Sequence, residues 1–274
     1  MMPGVTAERL AIGLGGLILL LLAESCWPYR PPVDPRWRRY LLNVVIMGSN
    51  ALILSVLLGS LIVSAYQAFE LKRMGLLYRL GIEGWGSIVL TVMLLDLVTY
   101  VWHRAYHGVP VMWRMHRVHH SDRDLDVTTS GRFHLTEMVL SAIFRLGVIA
   151  LWGPTVAAVV VFEIVFGLLN QVEHSNLQLP EWLDAWLRWV VVTPAMHRSH
   201  HSANPEHTNS NYSTIFSWWD RLGGTYRFVP EQRTLTIGLP EYPRRADVTV
   251  GKVFAMPFGP PCEVAPRISP APVA

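Results

Sequence analysis

Eight of the eleven histidines in this chain fall into three clusters: His103-Arg-Ala-Tyr-His107, His116-Arg-Val-His119-His120 and His197-Arg-Ser-His200-His201. Imidazole is the commonest protein ligand for transition metals, and helical spacings of three and four residues stack side chains on one face. An α-helix turns ~100° per residue, so the first and last histidines of HxxHH stand ~40° apart around the axis and one turn apart along it. Both can reach one ion, while the middle histidine points from the other flank toward a second. Two such clusters suit a two-metal centre. Eight clustered histidines also exceed what one zinc ion takes in a structural or catalytic site.

The donor set narrows the metal. Only Cys26 and Cys262 are present, too few for an iron–sulfur cluster and too far apart in sequence to suggest a disulfide framework. The Glu-x-x-His pairs of soluble di-iron bundles do not occur. An all-imidazole set beside apolar segments points to two iron ions that activate oxygen against unactivated lipid C–H bonds. His174, at the end of a hydrophobic segment, joins the candidate ligands. His134 is counted with them, a supporting or headgroup contact being an equal reading, and His207 is expected to be solvated. Asp96 lies about two helical turns before His103. It is expected to accept a ligand's Nδ1 proton, with a pairing to Arg104 as the alternative. Glu137 and Asp220 have similar claims, and Arg132 is a partner for either.

These residues need elements to hold them at one surface. The chain is 51% hydrophobic and 16% charged, against ~25% charged in average soluble domains. Residues 10–23, 41–69 and 84–102 read as spans, since ~20 mostly apolar residues cross a bilayer. Residues 146–172 form a fourth apolar region, broken at Gly153-Pro154, and residues 135–172 read as a hairpin or one long helix. The first segment has no Lys or Arg before Arg9 and a poor cleavage site, so an uncleaved anchor is expected rather than a signal peptide. Arg30, Arg36, Arg38 and Arg39 place the first loop in the cytoplasm. Counting crossings then brings every histidine cluster to the cytoplasmic side. Residues 71–80 read as an interfacial stretch, and 180–192 as an amphipathic helix on the bilayer or packed in a cytosolic lobe. Trp218-Trp219 reads as an interface anchor. Residues 256–274 hold six prolines and read as a poorly ordered tail. The net charge of +3 has no basic run interleaved with aromatics, so nucleic acid is not an expected partner. The expected fold is all-α: an integral membrane helical bundle of about four spans with a cytosolic helical lobe. Residues 1–84 would be the anchor, 85–228 the catalytic domain and 229–274 a partly disordered extension.

Several ordered motifs resemble the fatty acid hydroxylase/sterol desaturase superfamily. They begin with Asp96-x3-Tyr100-x2-His103-Arg-x2-His107 and Trp113-x2-His116-x2-His119-His120-Ser121. Arg132-Phe133-His134-x2-Glu137 and Glu173-His174-Ser175-Asn176-Leu177 follow, then Thr193-Pro194-x-Met196-His197-Arg198-x-His200-His201. The match ends with Asn209–Tyr212 and the run from Trp218 to Tyr226. The resemblance covers roughly residues 85–228. It implies a membrane-bound non-haem di-iron oxygenase that hydroxylates or desaturates an acyl chain, sterol or ether lipid. Asn176 thereby joins Asp96, Glu137 and Asp220 as a candidate catalytic-site residue. Gly223 stands where a large apolar residue is common, and Asn170 where some hydroxylases carry a further histidine. Two iron ions are the implied cofactors, with zinc as a substitute in purified samples. The chain has no dinucleotide fingerprint outside its apolar first span, so a ferredoxin or cytochrome with its reductase must bring electrons. Interleaving the clusters gives His103, His107, His116, His120 and His200 to one ion and His119, His174, His197 and His201 to the other. A zinc-dependent membrane hydrolase, a metal carrier and a bis-histidine haem protein are the competing readings.

Overall fold

The computed structural model describes residues 3–259. The long helices are α1 (Pro3–Cys26), α2 (Arg36–Leu54), α3 (Ser60–Leu71), α5 (Gly84–Gly108), α7 (Leu135–Trp152) and α8 (Val156–His174), with α4 (Leu76–Arg79) a single turn between α3 and α5. A π-helical turn, Ser55–Gly59, joins α2 to α3, making one helical stretch over residues 36–71. Among the described residues, five helical stretches are long and apolar enough to cross a membrane. The protein is all-helical and a membrane protein. Described residues form no strand, only the isolated bridges Val191–Phe216 and Ser202–Ile237.

The fourth apolar region is a hairpin whose first helix begins at Leu135. Gly153 ends α7 in the left-handed conformation (φ 72°), which costs glycine little, and Thr155 caps α8 by accepting from the Ala158 amide. The hairpin tip lies against the loop before α4. A Cβ on Gly153 would strike the backbone of Met74 and Gly75.

α8 packs between α5 and α1. Tyr66, Leu95, Ile149, Val159, Phe162 and Ile215 form the buried core among α3, α5, α7 and α8. Leu19, Trp85 and Leu151 lie bare on the outer faces, as lipid-facing side chains must. Of the interfacial stretch, Leu77 is buried and Leu71, Leu76 and Leu80 are exposed.

Past the bilayer segments lie α6 (Pro110–His120), α9 (Glu181–Leu187), α10 (Pro194–His200), α11 (Pro205–Thr208), α12 (Trp218–Leu222) and α13 (Val250–Ala255). Trp182, Trp186 and Trp189 are 68%, 76% and 62% exposed, so the α9 region leaves its aromatic face unpacked, as a helix lying on a bilayer does. Residues 229–259 wrap back over α6, and Met256, the expected start of the poorly ordered tail, is buried. Val248, Val253 and Met256 pack on Ile46 and Val118, and Leu235 and Ile237 on Leu125. The remainder, 260–274, lies outside the described residues.

A polar clamp ties α2 to the loop after α6. Arg39 donates to both Asp122 oxygens (2.8 and 3.0 Å) and to Asp126 (2.6 Å). Arg132 donates to the Val118 carbonyl, Asn43 and Ser121. It serves this clamp and contacts neither Glu137 nor Asp220, contrary to the pairing expected from sequence.

Candidate metal centre

α5 runs past the end of the apolar run, so His103 and His107 continue a span onto the helix's final turns. Pro110 opens α6 at a position needing no amide donor and aims His116, His119 and His120 back at α5. Thr193 caps α10 by accepting from Met196, with Pro194 at its first turn, and α10 delivers His197 and His200. His201 and His174 sit at the ends of α10 and α8.

Nine histidines thereby converge in two groups. One comprises His103, His107, His116, His120 and His200; the other His119, His174, His197 and His201; within each, one nitrogen per ring lies within 4.8 Å of every other. The partition matches the interleaving expected from sequence. Nε2 of His103 lies 3.1 Å from those of His116 and His200. Nε2 of His174 lies 3.1 Å from that of His119 and 3.0 Å from that of His197, which lies 3.1 Å from that of His201.

The outer nitrogens explain the orientation. Nδ1–H of His103 donates to the Tyr212 carbonyl (2.8 Å), that of His200 to Ser210 (2.7 Å) and that of His174 to Asn170 (2.7 Å). A carbonyl only accepts, so these bonds put the proton on Nδ1 and leave the Nε2 lone pair pointing inward. His116 Nδ1 meets Glu137 Oε1 at 2.7 Å. Glu173, quoted in sequence only as part of a motif, is buried with its oxygens 3.9 Å from His174 Nδ1 and 3.8 Å from His197 Nδ1. Its place directly before His174 was the available signal. Burial, then neighbouring imidazoles, holds His116, His119, His120, His197 and His201 well below the ordinary imidazole range; burial and His103 do the same for His200. All six are neutral at physiological pH, the state in which imidazole binds metal.

Other expectations need correction. Asp96 touches no histidine and does not meet Arg104: it accepts from the amides of Ile215 and Phe216 and from the Trp219 indole (3.0, 2.9 and 2.7 Å). Trp219 is therefore a half-buried tie to Asp96 rather than an interface anchor. Asp220 accepts from the Tyr212 and Ser213 amides and from Thr225 (2.8, 3.0 and 2.7 Å). Both acids fix the segment whose carbonyls hold His103 and His200, so they reach the site through backbone. Asn176 bonds both backbone groups of Arg30, and its amide donates to Glu24. It fastens the loop after α1 and lies outside both groups.

His134 also stands apart: it caps α7 through Thr136 and lies 3.2 Å from the Phe254 carbonyl. His207 is half-buried and outside both groups. Asn170 donates its side-chain amide to Ser130, so it replaces a ring there with a structural bond. Gly223 is explained by crowding, because a Cβ would collide with the Tyr100 hydroxyl, itself 3.0 Å from Thr225 Oγ1.

A cavity of 420 Å³ opens onto both groups. His103, His116, His119, His174 and His197 form its floor; α2, α5, α7 and α8 supply apolar walls that include Leu54, Val98 and Phe144, joined by Phe133 from the loop before α7.

A helical membrane scaffold with nine inward imidazoles defines a polyhistidine membrane protein. Residues 88–225 match the fatty acid hydroxylase family, half the chain, and the chain belongs to that family. It is 34% identical over 151 residues to alkylglycerol monooxygenase of Xenopus tropicalis, covering 55% of this chain and 32% of that protein. Ornithine lipid hydroxylase OlsE of Rhizobium tropici is 29% identical over 155 residues (56% and 45%), and human cholesterol 25-hydroxylase 26% over 147 residues (51% of each). The matched part thus spans about a third to a half of these relatives. No solved structure matches the chain.

Proposed function

We propose that the chain is a membrane-bound, O2-dependent lipid oxygenase with two iron ions, inserting one oxygen atom into a lipid C–H bond or desaturating it. The carrying observation is the packing of Nε2 atoms at 3.0–3.1 Å in both groups. Lone pairs that close repel unless a cation lies between them. Five imidazoles in one group exceed the four ligands of a closed zinc site, and imidazole donors without a thiolate suit iron. The donor set therefore fits a pair of ions, His103, His107, His116, His120 and His200 holding one and His119, His174, His197 and His201 the other.

When bound, the irons supply activation of O2 with two external electrons; hydroxylation uses two protons besides and releases the second oxygen as water. The chain's own residues do the rest. Tyr212, Ser210 and Asn170 carbonyls and the Glu137 carboxylate orient four rings, and the apolar cavity holds a hydrocarbon against both groups while excluding water. A ferredoxin or cytochrome with its reductase is the electron source. The printed activities of the relatives, all on lipids, support this reading.

The test is turnover of a lipid extract by purified protein in nanodiscs, with ferredoxin, its reductase and isotopically labelled O2. A lipid product carrying the label, and about two irons per chain, are expected. Product formed without O2 would favour a zinc hydrolase, and full activity with one ion per chain would overturn the two-metal reading.

A further inference from the structure

Arg145 is the eleventh residue of the eighteen in α7, near the middle of a helix apolar enough to cross a membrane. It is half-buried and lines the same cavity as the histidines. Helical rise puts it ~12 Å along α7 from Glu137, which touches His116. Its guanidinium lies 5.8 and 5.6 Å from the ring centres of Phe162 and Phe166 on α8. Among the described residues no acid pairs with it and no oxygen accepts a hydrogen bond from it.

The nearby charges do not compensate it. Tyr66 and Arg9 are the other ionisable groups that act on it. Glu163, at a matching distance from the hairpin tip on α8, is already paired with Arg9. Glu163 thus balances Arg9 alone, leaving the Arg145 charge over at the wall of an apolar cavity. An uncompensated cation within a membrane segment is costly, and such residues generally mark a substrate or ion path.

We propose that Arg145 is the anchor for a singly charged carboxylate on the substrate, whose hydrocarbon body fills the cavity toward the histidines. The inference rests on the cavity being the substrate site and narrows the substrate class to a carboxylate-bearing amphiphile. A carboxylate matches the guanidinium fork in shape and cancels the one excess charge. A phosphate monoester brings up to two charges and a larger hydrated head, which a mid-depth site flanked by Phe162 and Phe166 does not solvate. The attacked carbon then lies several bonds from the carboxylate.

Binding tests this without turnover, so its failure and the failure of the oxygenase reading are distinguishable. Palmitate, methyl palmitate and lysophosphatidic acid are titrated against the metal-loaded protein in nanodiscs. Palmitate is expected to bind at least about tenfold tighter than its ester, a gap that removing one charge-assisted hydrogen-bonded pair explains. Arg145→Gln should erase that preference with ester affinity unchanged, and Arg145→Lys should keep part of it. Equal binding of palmitate and its ester to the wild type, or a preference that persists in R145Q, overturns the proposal. Tighter binding of lysophosphatidic acid overturns the carboxylate assignment. Should R145Q fail to fold, the wild-type comparison and R145K decide.

Discussion

At the residue scale, what matters is which atom of each ring is fixed from outside. His103, His174 and His200 spend Nδ1 on backbone carbonyls, and His116 spends it on Glu137. Replacing Glu137 by Gln removes a charged acceptor and should weaken metal binding by about 10–100-fold, read by competition with a chelator of known affinity. His119→Ala or His174→Ala should release mainly one ion per chain and abolish turnover. His207→Ala should leave both metal content and turnover near the wild type, and elemental analysis of the three proteins side by side decides it. His134→Ala should keep both ions but cost about 1 kcal/mol of stability, because it removes the α7 cap rather than a ligand. Loss of an ion from that variant would return His134 to the ligand set.

The hairpin and the segment 210–220 are the elements on which the site depends. Gly153→Ala places a Cβ against the Met74 and Gly75 backbone at positive φ. It should destabilise the protein by more than about 1 kcal/mol, seen as a lower midpoint in thermal unfolding of the nanodisc-embedded chain. Much of this level was legible in the sequence. Apolar run lengths gave the helices, and Gly153-Pro154 marked the turn, because both are local signals. The three- and four-residue spacings gave the two histidine groups for the same reason. The partners of Asp96 and Asp220 were not legible. Asp96 stood out as a costly acid in a span, but it serves amides some 120 positions away, a relation no local spacing encodes. Asn176 misled in another way: a motif position marks a constraint, and here the constraint is a loop fastening. Arg145 drew no attention in the sequence because a lone basic residue in an apolar run acquires meaning only from the cavity beside it.

For the whole molecule, the open question is orientation. The ends of α5 and α8 meet at the histidine groups, while the hairpin tip and the loop before α4 lie together at the other end. With Cys26 and Cys262 replaced by serine, an impermeant thiol reagent should label Asn204→Cys only from the cytoplasmic side and Lys72→Cys only from the opposite side. Labelling of both from one side would overturn that topology. The order of the ligands along the chain has a consequence for assembly. Four of the five rings of one group lie within residues 103–120, whereas the other draws on 119, 174, 197 and 201. During synthesis the first group is nearly complete while the second still lacks most of its donors, so metal loading in sequence rather than together is the expected outcome. α10 carries His197 and leads into His201 of the second group, and gives the first group His200 alone. Metal starvation in the cell should therefore accumulate half-loaded protein, with the vacancy on the side of His119 and His174.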